Sequence, residues 1–230
     1  MGHETLKHPS LLKIPPHTKA VTFDVGGTLI EPFPSVGHIY AGFAAGHGYP
    51  YIQADLLTRR FITAWRELRN FNYTQDEWAR LVDATFDGLI ESPPSRTFFT
   101  ELYQHFATAG VWRIFPDVRI ALENLASRGL RLGIISNWDE RLRPLLRELD
   151  LDRYFDSIII SCEEGHCKPE RAIFEAASKG LGLPVSEIVH VGDSLSHDVQ
   201  GAIDAGFQAR LLARNSQTRG KELILSLDEL

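Results

Sequence analysis

Three aspartates stand at or just beyond the ends of short, largely β-branched runs in this sequence. Asp24 follows the run "AVTF", Asp193 follows "IVHVG", and Asp198 lies five residues further on. Taken singly, each of them has a plainer explanation as a turn or helix-cap residue. Carboxylate oxygens are, however, the ligands that Mg²⁺ prefers in proteins. If the three side chains come together, they predict a magnesium site.

A lysine and several hydroxyl or amide side chains occupy similar positions along the chain. N–H and O–H groups of this kind are suited to hold the oxygens of a phosphate group. Each of these residues also has an ordinary role open to it, such as a surface lysine or a helix cap. The residues concerned are Thr28, Ser136, Asn137, Lys168 and Ser194.

The elements that must position these side chains alternate along the chain. Short strand-like runs are separated by segments with helical spacing, which predicts a parallel sheet covered by helices. Ligands bind outside the carboxyl ends of such strands, so the polar residues are expected to meet at one rim. The predicted strands are "AVTFD", Leu130 to Ser136, "FDSIIIS" ending near Ser161, Ile188 to Asp193, and Phe207 to Ala213.

Several helix ends can be placed from residues that favour caps. Asp117 is predicted to cap the helix "VRIALENLASR", and Gly129 to close it in a left-handed turn. Pro169 suits the first turn of "PERAIFEAASK", and Gly180 suits its end. Gly206 is expected to end the helix formed by "HDVQGAIDA".

The segment from residue 32 to residue 112 has a different character. It contains four helical stretches and no strong alternating strand. Because it follows the first strand, we predict an α/β core domain of residues 1–31 and 113–230 with an inserted helical domain of residues 32–112. Trp65 and Trp78 stand at helical spacings and are expected to pack inside this insertion.

Together, these features resemble the haloacid dehalogenase superfamily. "VTFDVGGTL" is similar to the first motif of that family, an apolar strand followed by D-x-D-x-T, and "LGIISN" is similar to the second. "KPERAIF" is similar to the lysine motif and "VHVGDSLSHDVQGAIDAG" to the fourth. The resemblance spans residues 20–213. It implies a Rossmann-like parallel sheet with helices on both faces, plus an inserted α-helical cap.

The resemblance also implies phosphatase chemistry through an aspartyl-phosphate. Asp24 would attack phosphorus, and Ser136 and Lys168 would hold the phosphate oxygens. Asp24, Asp193 and the backbone carbonyl of Gly26 would bind Mg²⁺, which with the lysine offsets the repulsion between two anions. Thr28 and Asn137 would contact the substrate. Asp198 and Ser194 would support the metal or Lys168 without contacting the substrate themselves.

Gly26 departs from the pattern of the family's phosphatases, which usually carry a second aspartate at this position. That aspartate protonates the leaving oxygen and then deprotonates the attacking water. Glycine keeps the backbone carbonyl but loses this help, which contributes about 10²–10⁴-fold to the rate. The loss matters little for an acyl phosphate and much for a sugar alkoxide. His38 and His47 are conceivable substitute acids, although surface or packing roles are favoured for both.

Substrate choice is expected to depend on the cap, whose specificity a single sequence does not reveal. Trp138, just after Asn137, and Phe33, just after the first motif, are candidate pocket walls. Packing in the interior is an equally simple explanation for both.

Three functions remain open at this stage. The first is a Mg²⁺-dependent phosphatase that acts on a small phosphorylated metabolite. The second is a 2-haloacid dehalogenase, which needs neither metal nor second aspartate because halide leaves without a proton; Asp193 argues against it. The third is a non-enzymatic binding protein on the same scaffold, against which the retention of Asp24, Lys168 and Asp193 argues.

The composition is that of an ordinary globular protein. The chain has 230 residues, 43% of them hydrophobic and 23% charged, with a net charge of -6 that argues against a nucleic-acid partner. Cys162 and Cys167 are too few for a disulfide scaffold and are expected to be reduced. Neither a secretory signal nor an apolar run of the ~18 residues typical of a membrane span is visible. These features predict a cytoplasmic protein with neither a nucleic-acid nor a membrane partner and give no indication of oligomeric state. A small phosphorylated molecule as substrate is what the resemblance implies.

Overall fold

A parallel β-sheet lies at the centre of the computed structural model, which describes residues 14–68, 71–214, 216 and 223–230. The described strands are β1 (Ala20–Phe23), β2 (Ile30–Pro32), β3 (Trp112–Ile114), β4 (Arg131–Ser136), β5 (Ser157–Ile160), β6 (Ile188–Gly192), β7 (Gln208–Leu212) and β8 (Leu223–Ile224). Six of these form a parallel sheet in the order β5-β4-β1-β6-β7-β8. Strands β2 and β3 form a separate antiparallel pair.

The central position of β1 explains its apolar sequence. Val21 is level with Leu132 of β4 on one side and with Val189 of β6 on the other. Strands that are paired at both edges and covered on both faces are apolar along their whole length. The sequence pattern predicts five of the six sheet strands, and β8, with two residues, is too short to give a signal. The prediction that no secretory signal is present concerns, in part, residues 1–13, which lie outside the described residues.

The described helices lie partly on the two faces of the sheet and partly in the segment between β2 and β3. They are α1 (Val36–Gly46), α2 (Ala54–Glu67), α3 (Gln75–Phe86), α4 (Phe99–His105), α5 (Val118–Ser127), α6 (Leu142–Glu148), α7 (Ser161–Glu164), α8 (Arg171–Leu181) and α9 (Gly201–Asp204). A π-helix, Leu195–Gln200, leads directly into α9. Among the described helices, none has the length and apolar character that a membrane span would require.

Alternate residues of the strands point to two separate hydrophobic clusters. Ile134 packs into the cluster that contains Leu122 of α5 and Leu145 of α6. The next residue, Ile135, packs on the opposite face with Phe174 of α8. This period of two is the expected consequence of strand geometry, and it gives the predicted α/β layering.

Helices α1 to α4 lie between β2 and β3, and their buried side chains form a third cluster. The sequence predicts no strong strand in residues 32–112, but β2 and β3 pair across the two ends of this segment, with Glu31 opposite Arg113 and Pro32 opposite Trp112. Strands of three residues are too short to show alternation. The division into a core of residues 1–31 and 113–230 and a cap of residues 32–112 remains a prediction.

Asp117 does not cap α5 as predicted. Its side chain makes no capping hydrogen bond; instead, Oδ2 accepts hydrogen bonds from Arg214, from the Ser226 hydroxyl and from the backbone N–H of Leu227. A charged partner and two further donors are a stronger combination than a single helix N–H. Gly129 does adopt the predicted left-handed conformation, with φ at +79°.

The ends of α8 also differ from the prediction. Pro169 precedes the helix, which begins at Arg171, because a turn from Cys167 to Glu170 comes first. Gly180 lies inside the helix, and Gly182, with φ at +61°, ends it. A Cβ atom at Gly180 would lie 2.5 Å from Ser157 Oγ, so this glycine allows α8 to pack closely on β5.

Candidate active site

Asp24 follows β1 at the carboxyl edge of the sheet and is 8% exposed. Its backbone N–H donates to the carbonyl of Val191 in β6 at 2.9 Å, which continues the strand pairing by one residue. Asp24 Oδ1 accepts hydrogen bonds from Lys168 Nζ at 2.7 Å and from Ser136 Oγ at 3.3 Å. The three residues predicted to be catalytic therefore lie in direct contact.

Lys168 is buried between two aspartates. Its Nζ lies 2.7 Å from Asp24 Oδ1 and 2.6 Å from Asp198 Oδ1. Burial would lower the pKa of Lys168, but the charges of Asp198 and Asp24 outweigh this effect and raise the pKa above its ordinary value. The ammonium group therefore remains charged at physiological pH, as a group that holds an anion must.

Asn137 fixes the backbone of Lys168. Its Oδ1 accepts from the Lys168 N–H at 2.7 Å, and its Nδ2 donates to the Lys168 carbonyl at 2.9 Å. The Cys167 N–H donates to Glu170 Oε1 at 3.2 Å, and Gly165 is left-handed, with φ at +72°. These contacts direct the Lys168 side chain inward. The geometry supports a positioning role for Asn137, and its predicted contact with substrate remains a prediction.

A buried chain of polar groups runs from Lys168 into the sheet. Burial would raise the pKa of Asp198, but Lys168 and a hydrogen bond from His190 hold it below its ordinary value. Asp198 Oδ1 lies 3.2 Å from His190 Nε2, and Oδ2 accepts from the Ser194 N–H at 2.9 Å. Burial lowers the pKa of His190, so the ring is neutral. Nε2–H then donates to the ionised Asp198, and Nδ1 accepts from the Thr22 hydroxyl at 3.0 Å.

Asp24, Asp193 and Asp198 form a compact acidic cluster. One oxygen of each carboxylate lies within 4.8 Å of the others. Lys168 offers one positive charge against three carboxylates, and a divalent cation would balance the excess. Both oxygens of Asp198 already accept hydrogen bonds, so Asp24 and Asp193 are the better candidate ligands. These hard oxygen donors fit Mg²⁺.

Asp193 is the exposed member of the cluster. Desolvation at the cavity, together with repulsion from Asp24 and Asp198, raises the pKa of Asp193 to about 7. The carboxylate lies over Gly27, where a Cβ atom would stand 2.3 Å from Asp193 Oδ2. Glycine is therefore required at position 27, both for this approach and for its φ of +80°.

Trp138 covers Gly26. A Cβ atom at position 26 would lie 3.2 Å from Cζ3 of the indole ring and 3.9 Å from Cη2. Ser161 Oγ holds the Trp138 backbone at both its N–H and its carbonyl, each at 3.0 Å. The ring of Trp112 packs against the indole with centroids 5.3 Å apart. A side chain at position 26 would therefore require the indole to shift by a few tenths of an ångström.

A cavity of about 580 Å³ extends from the acidic cluster to the helices α1 to α4. Ten of the described lining side chains are aromatic, a composition typical of small-molecule sites. Trp65 and Trp78, predicted as interior residues of the insertion, line it as a stacked pair 5.6 Å apart. Arg141 lines it as well, with Nη2 2.6 Å and Nε 2.8 Å from the Asp139 carboxylate.

Comparison with known proteins identifies the family. The model of the haloacid dehalogenase-like hydrolases matches residues 18–206. The chain belongs to this family. "Haloacid dehalogenase-like hydrolase domain-containing protein 3" of Xenopus laevis is 32% identical over 205 residues, which are 84% of each chain. The glyceraldehyde 3-phosphate phosphatase of Methanothermobacter thermautotrophicus is 30% identical over 205 residues, 84% of this chain and 85% of that protein.

A solved structure agrees with this assignment. The crystal structure of a HAD phosphatase from Thermococcus onnurineus superposes with a TM-score of 0.66 and 29% sequence identity. The match covers 92% of this chain and 95% of that one. The α/β fold with its parallel sheet is therefore shared with other haloacid dehalogenase-like hydrolases.

Two residues predicted near the site of this haloacid dehalogenase-like hydrolase are not among the described residues that line the cavity. Thr28 is fully buried, in a turn where the N–H groups of Leu29 and Ile30 both donate to the Val25 carbonyl. Phe33 is 46% exposed and lies under the guanidinium group of Arg113. Trp138, by contrast, is confirmed as a cavity wall.

The two histidines considered as substitute acids are exposed and are not among the cavity-lining residues described. His38 Nδ1 lies 2.9 Å from Ser35 Oγ at the start of α1. His47 Nδ1 lies 2.9 Å from the Phe43 carbonyl near the end of the same helix. Both contacts support the ordinary structural roles that the sequence favours.

Tyr73 is a cavity residue that the sequence analysis does not identify. It precedes α3 and has left-handed backbone geometry with φ at +60°, which is uncommon for a residue other than glycine. Burial raises the pKa of Tyr73 to about 12, although a side-chain hydrogen bond with Asn137 opposes the rise, so the phenol stays protonated at neutral pH. Its signal is the pair of aromatic residues in "NFNYT", in a polar stretch between two helices.

Proposed function

We propose that this protein is a Mg²⁺-dependent phosphatase that acts on a small phosphorylated molecule through an aspartyl-phosphate at Asp24. The observation that carries the proposal is the Lys168 ammonium group, buried between Asp24 and Asp198 and beside Asp193. A carboxylate nucleophile with fixed positive charge next to it suits attack on an anionic phosphoryl group. The relative and the solved structure that carry the name phosphatase support this class of reaction.

Asp24, Asp193 and the Gly26 carbonyl would hold Mg²⁺, which supplies positive charge next to the phosphoryl oxygens. The Asp24 carboxylate attacks phosphorus, the ester P–O bond breaks, and the leaving oxygen takes its electron pair. Lys168 and Ser136 donate hydrogen bonds to the transferred phosphoryl oxygens. Water then attacks the aspartyl-phosphate, which releases phosphate and restores the Asp24 carboxylate.

The test is phosphate release from 4-nitrophenyl phosphate, acetyl phosphate and glyceraldehyde 3-phosphate, each with Mg²⁺ and with excess chelator. The Asp24→Asn variant should lose at least about 10³-fold in kcat, because the nucleophile is gone while the fold is preserved. Asp55→Asn is the matched control, since Asp55 is exposed on α2 and does not line the cavity.

Circular dichroism of both variants should match the wild type, which separates loss of chemistry from loss of fold. Full activity in chelator would reject the role of the metal. Activity retained in Asp24→Asn would reject the aspartyl-phosphate.

Gly26 is the observation that favours a dehalogenase instead, because halide leaves without a proton. The proposal therefore includes a direct comparison with chloride release from 2-chloropropionate in the presence of chelator. We expect none, because Asp193 would repel the substrate carboxylate when no cation lies between them.

A further inference from the structure

We propose that the substrate of this site is an aryl phosphate, that is, the phosphate ester of a small phenolic compound whose ring carries no further charge. The inference rests on the proposed phosphatase function and specifies its substrate class. Three features of the cavity lead to it: the indole that covers Gly26, the aromatic walls, and the engagement of the cationic side chains.

The indole of Trp138 restricts the leaving group. It occupies the space in front of Gly26, with Cζ3 only 3.2 Å from the place of a Cβ atom. Its backbone is held by Ser161 and its ring by Trp112, so the indole has little freedom to retreat. A Cβ atom at position 26 would require the held indole to shift by a few tenths of an ångström. Glycine itself supplies no acid, so the leaving oxygen must depart without a proton from there.

Phenols can depart in this way far more easily than alcohols. A phenol of the tyrosine type ionises near pH 10, whereas water, which alcohols resemble, has a pKa of about 15.7. The phenoxide therefore carries its electron pair without help when the P–O bond breaks. Sugar, glycerol and other alkyl phosphates would lack the general acid that they need.

The walls of the cavity are suited to a flat ring. Phe61, Trp65 and Trp78 form a stack in which successive rings are inclined by only 20°. Tyr103 and Trp138 add further aromatic surface from α4 and from the loop after β4. Offset stacking and edge-to-face contacts with such walls stabilise an aromatic guest by more than its buried area alone.

The charged side chains of the cavity argue against a second anionic group on the substrate. Lys168 is bound by Asp24 and Asp198. Arg141 donates to both oxygens of Asp139 and to the carbonyl of Tyr103. Among the described lining residues, these are the lysine and arginine side chains, and both are engaged. A nucleotide or a bisphosphate would bring further negative charge, which these two engaged side chains would not neutralise.

The test uses four esters that separate aromatic character from leaving-group acidity. Phenyl phosphate has both properties, benzyl phosphate is aromatic but leaves as an alkoxide, acetyl phosphate leaves easily but is not aromatic, and glycerol 3-phosphate has neither. We expect kcat for phenyl phosphate to exceed that for benzyl phosphate by at least about 100-fold, the lower end of general-acid effects. We expect KM to be about tenfold lower for the two aromatic esters than for acetyl phosphate.

Two variants report on the walls themselves. Trp138→Leu keeps an apolar side chain but removes the ring, and it should raise KM for phenyl phosphate by a larger factor than KM for acetyl phosphate. Gly26→Asp alone should not speed the release of benzyl alcohol. The double variant Gly26→Asp/Trp138→Ala should increase that kcat at least about tenfold, because it restores an acid and clears its space. A benzyl phosphate kcat that stays unchanged in a folded double variant would overturn the steric argument.

The failures of the two proposals are distinguishable. Hydrolysis of glycerol 3-phosphate with a kcat/KM equal to or above that of phenyl phosphate overturns the aryl class and leaves the phosphatase intact. Absence of phosphate release from every ester in the presence of Mg²⁺ overturns the phosphatase and the aryl class together. Binding of phenylphosphonate, followed by tryptophan fluorescence, should be at least about tenfold tighter than that of methylphosphonate; equal affinities would contradict the aromatic walls.

Discussion

The ion pair between Lys168 and Asp198 is present throughout the proposed reaction, whereas the anionic group on the other side of Lys168 changes. Asp24 loses its own negative charge when it becomes an aspartyl-phosphate, and the phosphoryl oxygens then replace its carboxylate as the anionic partner of Lys168. Asp198 remains at 2.6 Å from Nζ and keeps the ammonium group charged and in place. His190 donates to the same oxygen, Asp198 Oδ1, so the support for the lysine is built into strand β6 and the helix that follows it.

Replacing Asp198 by Asn should therefore destabilise the protein and abolish phosphatase activity. The side chains of Lys168 and Asp198 are each 2% exposed, and removing one partner of such a buried pair costs about 3–5 kcal/mol. Denaturant unfolding measures the free energy. Asp204→Asn, an exposed acid on α9, is the control and should change it by less than about 0.5 kcal/mol. A loss below 1 kcal/mol in Asp198→Asn would show that another group compensates Lys168.

Single residues at the strand ends could be predicted from the sequence because strand direction alone delivers them to one edge. Asp24, Ser136 and Asp193 needed no knowledge of packing, whereas Lys168 lies beyond α7 and is directed inward by its contacts with Asn137. Tyr73 and the contact of Trp138 with Gly26 could not be predicted in the same way. The position of Tyr73 depends on how the segment of α1 to α4 packs on the sheet, and the contact of Trp138 with Gly26 joins two loops far apart in the chain.

At the scale of elements, the loop after β4 fastens α4 to the sheet. Glu140 accepts a hydrogen bond from the Tyr103 hydroxyl at 3.0 Å. Arg141 donates to the Tyr103 carbonyl at 2.9 Å, and its guanidinium group lies 3.6 Å above the Tyr103 ring. Since Asn137 at the start of this loop holds Lys168, the same loop positions the lysine and the helix that closes the cavity.

Arg141→Lys should loosen this connection. The variant keeps the charge but loses the paired hydrogen bonds to Asp139 and the stacking on Tyr103, which lysine cannot reproduce. We expect KM to rise several-fold, with a smaller change in kcat, and amide hydrogen exchange to increase in Phe99–His105. Arg143→Lys is the matched control, because its pair with Glu163 is more exposed and is worth less than about 1 kcal/mol. If both substitutions had equal effects, a specific role of Arg141 in joining α4 to the loop after β4 would be excluded.

Some element boundaries were wrong for a physical reason that a single sequence hides. Glycine serves equally well to end a helix or to let a helix approach a strand, and at Gly180 the contact with Ser157 decides in favour of the second use. Asp117 would be a good cap, but its carboxylate instead accepts a hydrogen bond from Arg214, which lies 97 positions away in the chain. Helices and strands follow from local patterns, whereas these choices depend on distant partners.

At the scale of the whole molecule, the acidic cluster couples stability to pH and to Mg²⁺. The pKa of Asp193 is about 7 in the folded protein and about 3.9 in an unfolded chain. Between these values the folded state binds a proton that the unfolded state has lost. Without a cation, this group therefore makes the fold less stable as the pH rises from about 4 to about 7. A divalent cation binds the ionised form and reverses the effect.

Mg²⁺ should raise the thermal midpoint strongly at pH 8 and weakly at pH 5.5, where Asp193 is protonated. At about 100 times its dissociation constant, a ligand adds about 2.7 kcal/mol, which corresponds to roughly 5–10 °C for a chain of this size. Scanning calorimetry at both pH values measures the shift. Asp193→Asn should be more stable than the wild type at pH 8 without Mg²⁺ and should not respond to Mg²⁺. An equal Mg²⁺ shift at the two pH values would contradict the assignment of Asp193.

The short pair of strands β2 and β3 has a consequence for engineering. The chain leaves the sheet through Ile30–Pro32 and returns to it through Trp112–Ile114, and these residues lie side by side. Two cuts at this ribbon would release the intervening helices as one cassette, without breaking any strand of the parallel sheet. A chimera joined there would take its reacting groups mainly from one parent and about half of its cavity lining from the other, so that substrate preference could be transplanted between relatives.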